Sequence, residues 1–298
     1  MMKLLRELTQ PDYPADYLAA RIKGRKASLI HNWQPYIVEP DKIPSVSDAA
    51  IWEKFIHELH WLYAQMNSRL RLVCHGVITF FELRTLFLCL RFMEGGQKKT
   101  AIELLAKSLI DRTVQKLFEQ ETNTSALVRK LLIQIDISGD AAKKLEVAYD
   151  NKGLISFEKL LYIEFFTDAL RVNSHAAIHS FFKDLIDLRN IMSQAKHIRW
   201  RHTQPPDLIP GGLRTDKHSL FKQKKLPAAA MLKSDIQLLE TSLLTDLTKK
   251  IHRSSRNKGN ICVIIDYLWQ RYMETKNLGT ILNAQNISPD RITQELIQ

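Results

Sequence analysis

The residue types that could do chemistry are few. His57 and His60, in the stretch HELH, are three apart and could share one face of a helix, as zinc ligands do. The zinc-protease pattern His-Glu-x-x-His needs one more residue between them, and no third ligand is clearly supplied. Cys74 and His75 are neighbours, with Glu82 beyond them, but adjacency in sequence gives no geometry for activating a thiol. GGQKKT, Gly95 to Thr100, lacks the complete Gly-x-x-x-x-Gly-Lys-Ser/Thr loop that cradles phosphates, and it follows a helix-like segment instead of a strand. IPGGL, Ile209 to Leu213, reads as a bend. The expectation is therefore a chain with no catalytic, cofactor-binding or metal-ligating residues.

The formal net charge of +11 favours anionic partners without choosing among nucleic acid, lipid headgroups and an acidic protein face. Basic clusters are spread along the chain: RIKGRK (Arg21 to Lys26), KHIRWRH (Lys196 to His202), KQKK (Lys222 to Lys225) and KKIHRSSRNK (Lys249 to Lys258). RIKGRK is the preferred candidate for a partner-facing patch. Trp200, between Arg199 and Arg201, could stack on a base, anchor a protein interface or seal a local core. Cys74, Cys89 and Cys262 are widely spaced in apolar surroundings and read as buried free thiols of a reducing compartment. Leu70 to Met93 is the most apolar run, but Glu82 and Arg84 near its middle argue against a membrane span. Arg6 and Glu7 interrupt the N-terminus before a secretory apolar core forms.

These residues sit on elements with a three-to-four residue apolar rhythm, so the expected fold class is all-α. A first helix is expected from about residue 14 to about 31, where Gly24 permits close approach by another group. An irregular connection with Pro35, Pro40 and Pro44 follows. Ser47 and Asp48 then cap a helix through Met66, and a strongly apolar helix ends at Gly95-Gly96. Amphipathic segments continue to Trp200, and a final short helix begins at Ser288-Pro289. The reading divides the chain into a first helical domain (1–96), whose N-terminal helix could pack across domains, a second (97–202), a connecting loop (203–226) and a third helical domain (227–298).

One polar pattern interrupts the apolar helices three times. ELRTL (Glu82 to Leu86), DLRNI (Asp187 to Ile191) and ETKNL (Glu274 to Leu278) each run acid, variable, base, Thr or Asn, aliphatic. Positions one and four share a helix face, while the base between them reaches water along its stem. A buried Asn must find hydrogen-bond partners, expected on a neighbouring helix or an adjoining protein. The bland account is surface capping and salt-bridge chemistry. Three copies after similar apolar lead-ins, too far apart for a short solenoid, point instead to helical sub-bundles repeated within the chain.

In this order, YLAARIKGRKASLI, DLRNIMSQAKHI followed by LIPGG, and YLWQRYMETKNLGTILNAQNIS make the sequence resemble the C/d family of rotor subunits of the V-type and archaeal-type rotary ATPases. The resemblance implies a funnel of three related helical sub-bundles without catalytic site, cofactor or metal. It implies a peripheral place on the cytoplasmic face of a membrane complex, with a rotor ring of proteolipid subunits and the central shaft subunits D and F as partners, and no transmembrane insertion. Such a part couples shaft to ring in a proton- or sodium-translocating machine. On it, Arg21, Lys23 and Gly24 belong to the first signature, Asp187, Arg189 and Asn190 to the second, and Glu274, Lys276 and Asn277 to the third. Gly279 departs from the family's pattern, which usually has Arg near the opening of the last signature. The alternative function is a cytoplasmic helical nucleic-acid-binding protein.

Overall fold

The apolar periodicity resolves into α-helices. The computed structural model describes residues 2–8, 13–39, 47–137, 139–172, 175–201, 206, 208–212, 235–257, 259–284 and 287–297. Most of the 203–226 connection falls outside them. Among the described residues the helices are α1 (Ala15–Lys26), α2 (Gln34–Val38), α3 (Asp48–Gln65), α4 (Ser68–Glu94), α5 (Lys98–Lys107), α6 (Arg112–Gln120), α7 (Thr124–Gln134), α8 (Gly139–Val172), α9 (Ala176–Trp200), α10 (Ile236–Asn257), α11 (Asn260–Asn283) and α12 (Pro289–Glu295). No strand occurs among the described residues, only an isolated bridge between Leu5 and Ile110. The fold is all-α.

Two boundaries differ from expectation. α1 stops at Lys26 because residues 27 to 29 turn, with the Ala27, Ser28 and Leu29 amides donating to the Gly24, Arg25 and Lys26 carbonyls. The proline-bearing connection is not wholly irregular: Pro35 opens α2, where its fixed φ and missing amide cost nothing.

Contacts divide the chain into two compact units, Met1–Pro14 with Ile56–Ser174, and Ala15–Phe55 with His175–Gln298. This is a different partition from the sections ending at residues 96 and 202.

The first unit is built around α4, which is long and apolar enough to cross a membrane by length and composition. Of its most apolar window, however, 72% is buried inside the protein. Asn67 opens α4 by accepting from the Leu70 amide at 2.9 Å, and Gly96 at φ +72° closes it. Phe80 and Phe87 pack on Phe165, Phe166 and Tyr162 of α8 with centroids 4.8 to 6.4 Å apart. α8 is bent at Gly153, whose φ of 72° and ψ of −170° are open to glycine almost alone.

In the second unit α9, α10 and α11 pack together, with α1 on α11 and α12 beside α10. Trp269 stands edge-on to Phe181 at 5.8 Å and donates its indole proton to Thr248 Oγ1 at 2.9 Å, so the buried ring leaves no orphaned donor. Ile191, Met192 and Ala195 of α9 meet Leu239 and Leu243 of α10. A second cluster joins Ile37, Ile51, Leu278, Ile281, Ile292 and Leu296.

Candidate functional site

The second polar pentad lies on α9, its first and fourth residues turned inward: Asp187 and Asn190 are buried and Arg189 is half-buried. Asn190 does not bond to a neighbouring helix or wait for another protein, as expected from the sequence alone. Its Nδ2 donates to the Ile209 carbonyl at 2.9 Å, and its Oδ1 accepts from the Ile209 amide at 2.8 Å. A primary amide carries one donor side and one acceptor side, so it matches both groups of a single backbone residue. Gly212 comes so close that a Cβ there would fall on Asp187 Oδ1. The LIPGG bend is thus docked on the pentad by Asn190 and fitted to it by the missing side chain of Gly212.

The third pentad repeats the device on α11. Asn277 Nδ2 donates to the Ile297 carbonyl at 2.9 Å, and its Oδ1 accepts from the Ile297 amide at 2.9 Å, both bonds buried. Asn190 reaches 19 residues downstream and Asn277 reaches 20. Each asparagine clasps returning chain. Glu274 accepts from the Ile30 amide and from Arg271, both at 2.8 Å, and Lys276 pairs with Glu240 at 2.9 Å. Gly279 lies beside Asp48, which accepts from Asn283.

On α4, Thr85 replaces the Asn and is too short to span a peptide. Glu82 makes the bond instead: its Oε1 accepts from the Leu109 amide at 2.8 Å, while its Oε2 is buried without a hydrogen-bond partner. Burial drives its pKa up from 4.5 to about 7, against the opposing pull of the Leu109 amide, Thr85 and Arg6. Leu109 and its neighbours in turn hold the N-terminal segment, through bonds from the Arg6 amide to the Leu109 carbonyl and from the Asp111 amide to the Leu4 carbonyl, both 2.8 Å.

The first signature is divided. Arg21 is exposed and lies over the Tyr17 ring at 5.7 Å, and Lys23 is exposed. A Cβ on Gly24 would meet nothing within 4 Å, so the expected close approach is not made. Arg25 and Lys26 instead face α11, where Arg25 Nε donates to the Tyr267 hydroxyl at 3.4 Å and Lys26 forms an ion pair with Asp266. RIKGRK is therefore in part an internal strap.

Sequence reasoning missed Asp266. This fully buried carboxylate also takes a hydrogen bond from Ser255 at 2.9 Å and one from Gln270 at 2.7 Å, and lies 3.2 Å from His252 Nδ1. An acid inside the apolar run CVIIDYLW was its signal, since a buried charge must be paired. A cavity of about 550 Å³ opens nearby, bordered by Trp33, Lys249, His252, Gln270, Glu274 and Asn277.

Among the described residues, neither the histidines nor the thiols gather into a cluster that could hold a metal ion. The expected free, buried thiols are found at Cys74, Cys89 and Cys262, and burial pushes Cys74 up to about 12, away from the reactive thiolate. Burial, then Arg6 and His57, lower the pKa of His60. Trp200 does not seal a core: 59% of it is exposed.

A model of the ATP synthase (C/AC39) subunit family matches residues 31–295. The chain belongs to this family. The matched span includes Asn190 with its partner Ile209, Asn277 and the Glu82 counterpart; it ends before Ile297 and begins beyond RIKGRK. None of the curated proteins compared with the chain matches it. As a C/AC39 family member, the chain is a subunit of the rotary V/A-type ATP synthases and a peripheral component of a membrane-associated complex.

Proposed function

We propose that the chain is a non-catalytic adaptor that joins the central shaft to the membrane rotor ring of an ion-translocating rotary ATPase, on the cytoplasmic face. The single observation that carries this reading is the family match over residues 31–295. The partners are the proteolipid ring and the shaft subunits D and F. The three pentads fit a chain of three related helical sub-bundles, each closing on its own returning segment.

The polar chemistry supports such a passive part. Asn190, Asn277 and Glu82 are committed to backbone groups of the chain itself. An adaptor transmits torque only if its elements keep their register under load. Apolar burial at about 25 cal/mol per Å² holds the helices together, while directional hydrogen bonds fix where the returning segments lie. The clasps contribute orientation more than net stability.

Copurification from detergent-solubilised membranes tests the proposal. Ring and shaft subunits are expected to be recovered with this chain. Their reproducible absence, together with tight nucleic-acid binding at physiological salt, would overturn it.

A further inference from the structure

The end of α9 carries a surface that the adaptor role does not explain. Lys196, Arg199 and Arg201 fall within six residues with no acid among them, and Arg199, Trp200 and Arg201 are exposed. Residues two apart on a helix point to nearly opposite sides. Ile198 packs inward on the α9–α10 cluster, so Trp200 faces away from it. Arg201 then ends the helix in the left-handed conformation, at φ 52° and ψ 40°.

Cations at a helix C-terminus offset the helix dipole, which accounts for lysine and arginine there. That does not account for a tryptophan with 59% of its surface in water. An indole flanked by arginines is suited to a membrane interface, where the ring sits at headgroup level and the guanidinium groups meet phosphates. A peripheral component of a membrane complex has such a surface nearby.

We infer that the end of α9, Lys196 to Arg201, rests on an anionic lipid surface, with Trp200 among the headgroups and Arg199 and Arg201 on lipid phosphates. The inference extends the adaptor reading by giving the chain a lipid contact of its own, separate from the ring and the shaft. Exposed charge of this kind is screened within about 10 Å at moderate salt, so the contact weakens as salt rises.

Co-flotation of the full chain with vesicles tests this. Phosphatidylcholine vesicles containing phosphatidylglycerol are expected to carry the chain upward at low salt, and phosphatidylcholine alone is not. Arg199→Gln and Arg201→Gln should each weaken partitioning about fivefold, the loss expected for one basic residue at an anionic surface. Trp200→Ala should weaken it further, with the urea midpoint of each variant held at that of the wild type. Lys144→Gln, at an exposed position of α8, is the control and should float unchanged. Equal loss in Lys144→Gln would mean diffuse charge and sink the inference. So would flotation indifferent to all three α9 variants, or retention of RNA by these residues with no flotation. Copurification separates the two proposals: a wild-type chain that floats without recovering ring or shaft defeats the adaptor alone. Arg199→Gln and Arg201→Gln variants that keep the ring but no longer float place the lipid contact apart from it.

Discussion

The two units solve the same problem with different chemistry. In the second, Asn190 and Asn277 hold returning chain with neutral amides that satisfy an amide and a carbonyl together. In the first, Glu82 holds only the Leu109 amide, with a carboxyl group whose other oxygen is buried and unpartnered. The amide is indifferent to pH; the carboxyl is not. Repetition in sequence thus preserves the position of a clasp while changing what it responds to.

The largest effect is expected from Asn277→Leu, which strips partners from both backbone groups of Ile297 in a buried setting and should cost about 3 kcal/mol in urea unfolding. An unchanged midpoint would show that water or a local shift replaces the amide without loss. Next comes the pH response of Glu82. Its native pKa is raised from 4.5 to about 7, so its contribution is complete below pH 4.5 and is lost as pH rises through 7. Over that window the wild type should lose about 3 kcal/mol at most, and less where water reaches the site. Glu82→Gln, which does not ionise, should flatten the profile; parallel profiles would remove the contrast between the units.

Asn190→Asp makes the second unit imitate the first. It keeps an acceptor for the Ile209 amide, loses the donor to the Ile209 carbonyl and adds a charge one turn from Asp187, for a cost of about 2 kcal/mol at neutral pH that shrinks on acidification. A cost independent of pH would count against a clasp read by charge. The smallest effect is Gly24→Ala, expected to stabilise by about 0.5 to 1 kcal/mol, because a methyl group there touches nothing and glycine weakens a helix. Destabilisation would reveal an approach that the isolated chain does not show.

The helices were legible because burial of one face imposes its period on the residues themselves, and the caps at Ser47 and Gly95-Gly96 mark their ends locally. The pentads were legible as buried polar groups in need of partners. Their partners were not: Ile209 and Ile297 are apolar residues that bond through the backbone, and nothing in a side chain announces that. Distance hid the rest. Lys26 and Asp266 meet across 240 residues, so the strap formed by RIKGRK looked like a surface patch. Trp200 between two arginines stayed open in sequence among a stacking face, an interface anchor and a core seal, and only its exposure in the fold removes the last of these.

Gly153 gives α8 two aims instead of one. Before the bend, Asp150 is tied to Arg129 of α7 at 3.0 Å; after it, Phe165 and Phe166 lie against Phe80 of α4. Any side chain at 153 would push the backbone out of a region reserved for glycine and straighten the rod. Straightening would force a choice, because one arm would have to abandon its neighbour. A single missing methyl group is what lets one helix serve two masters.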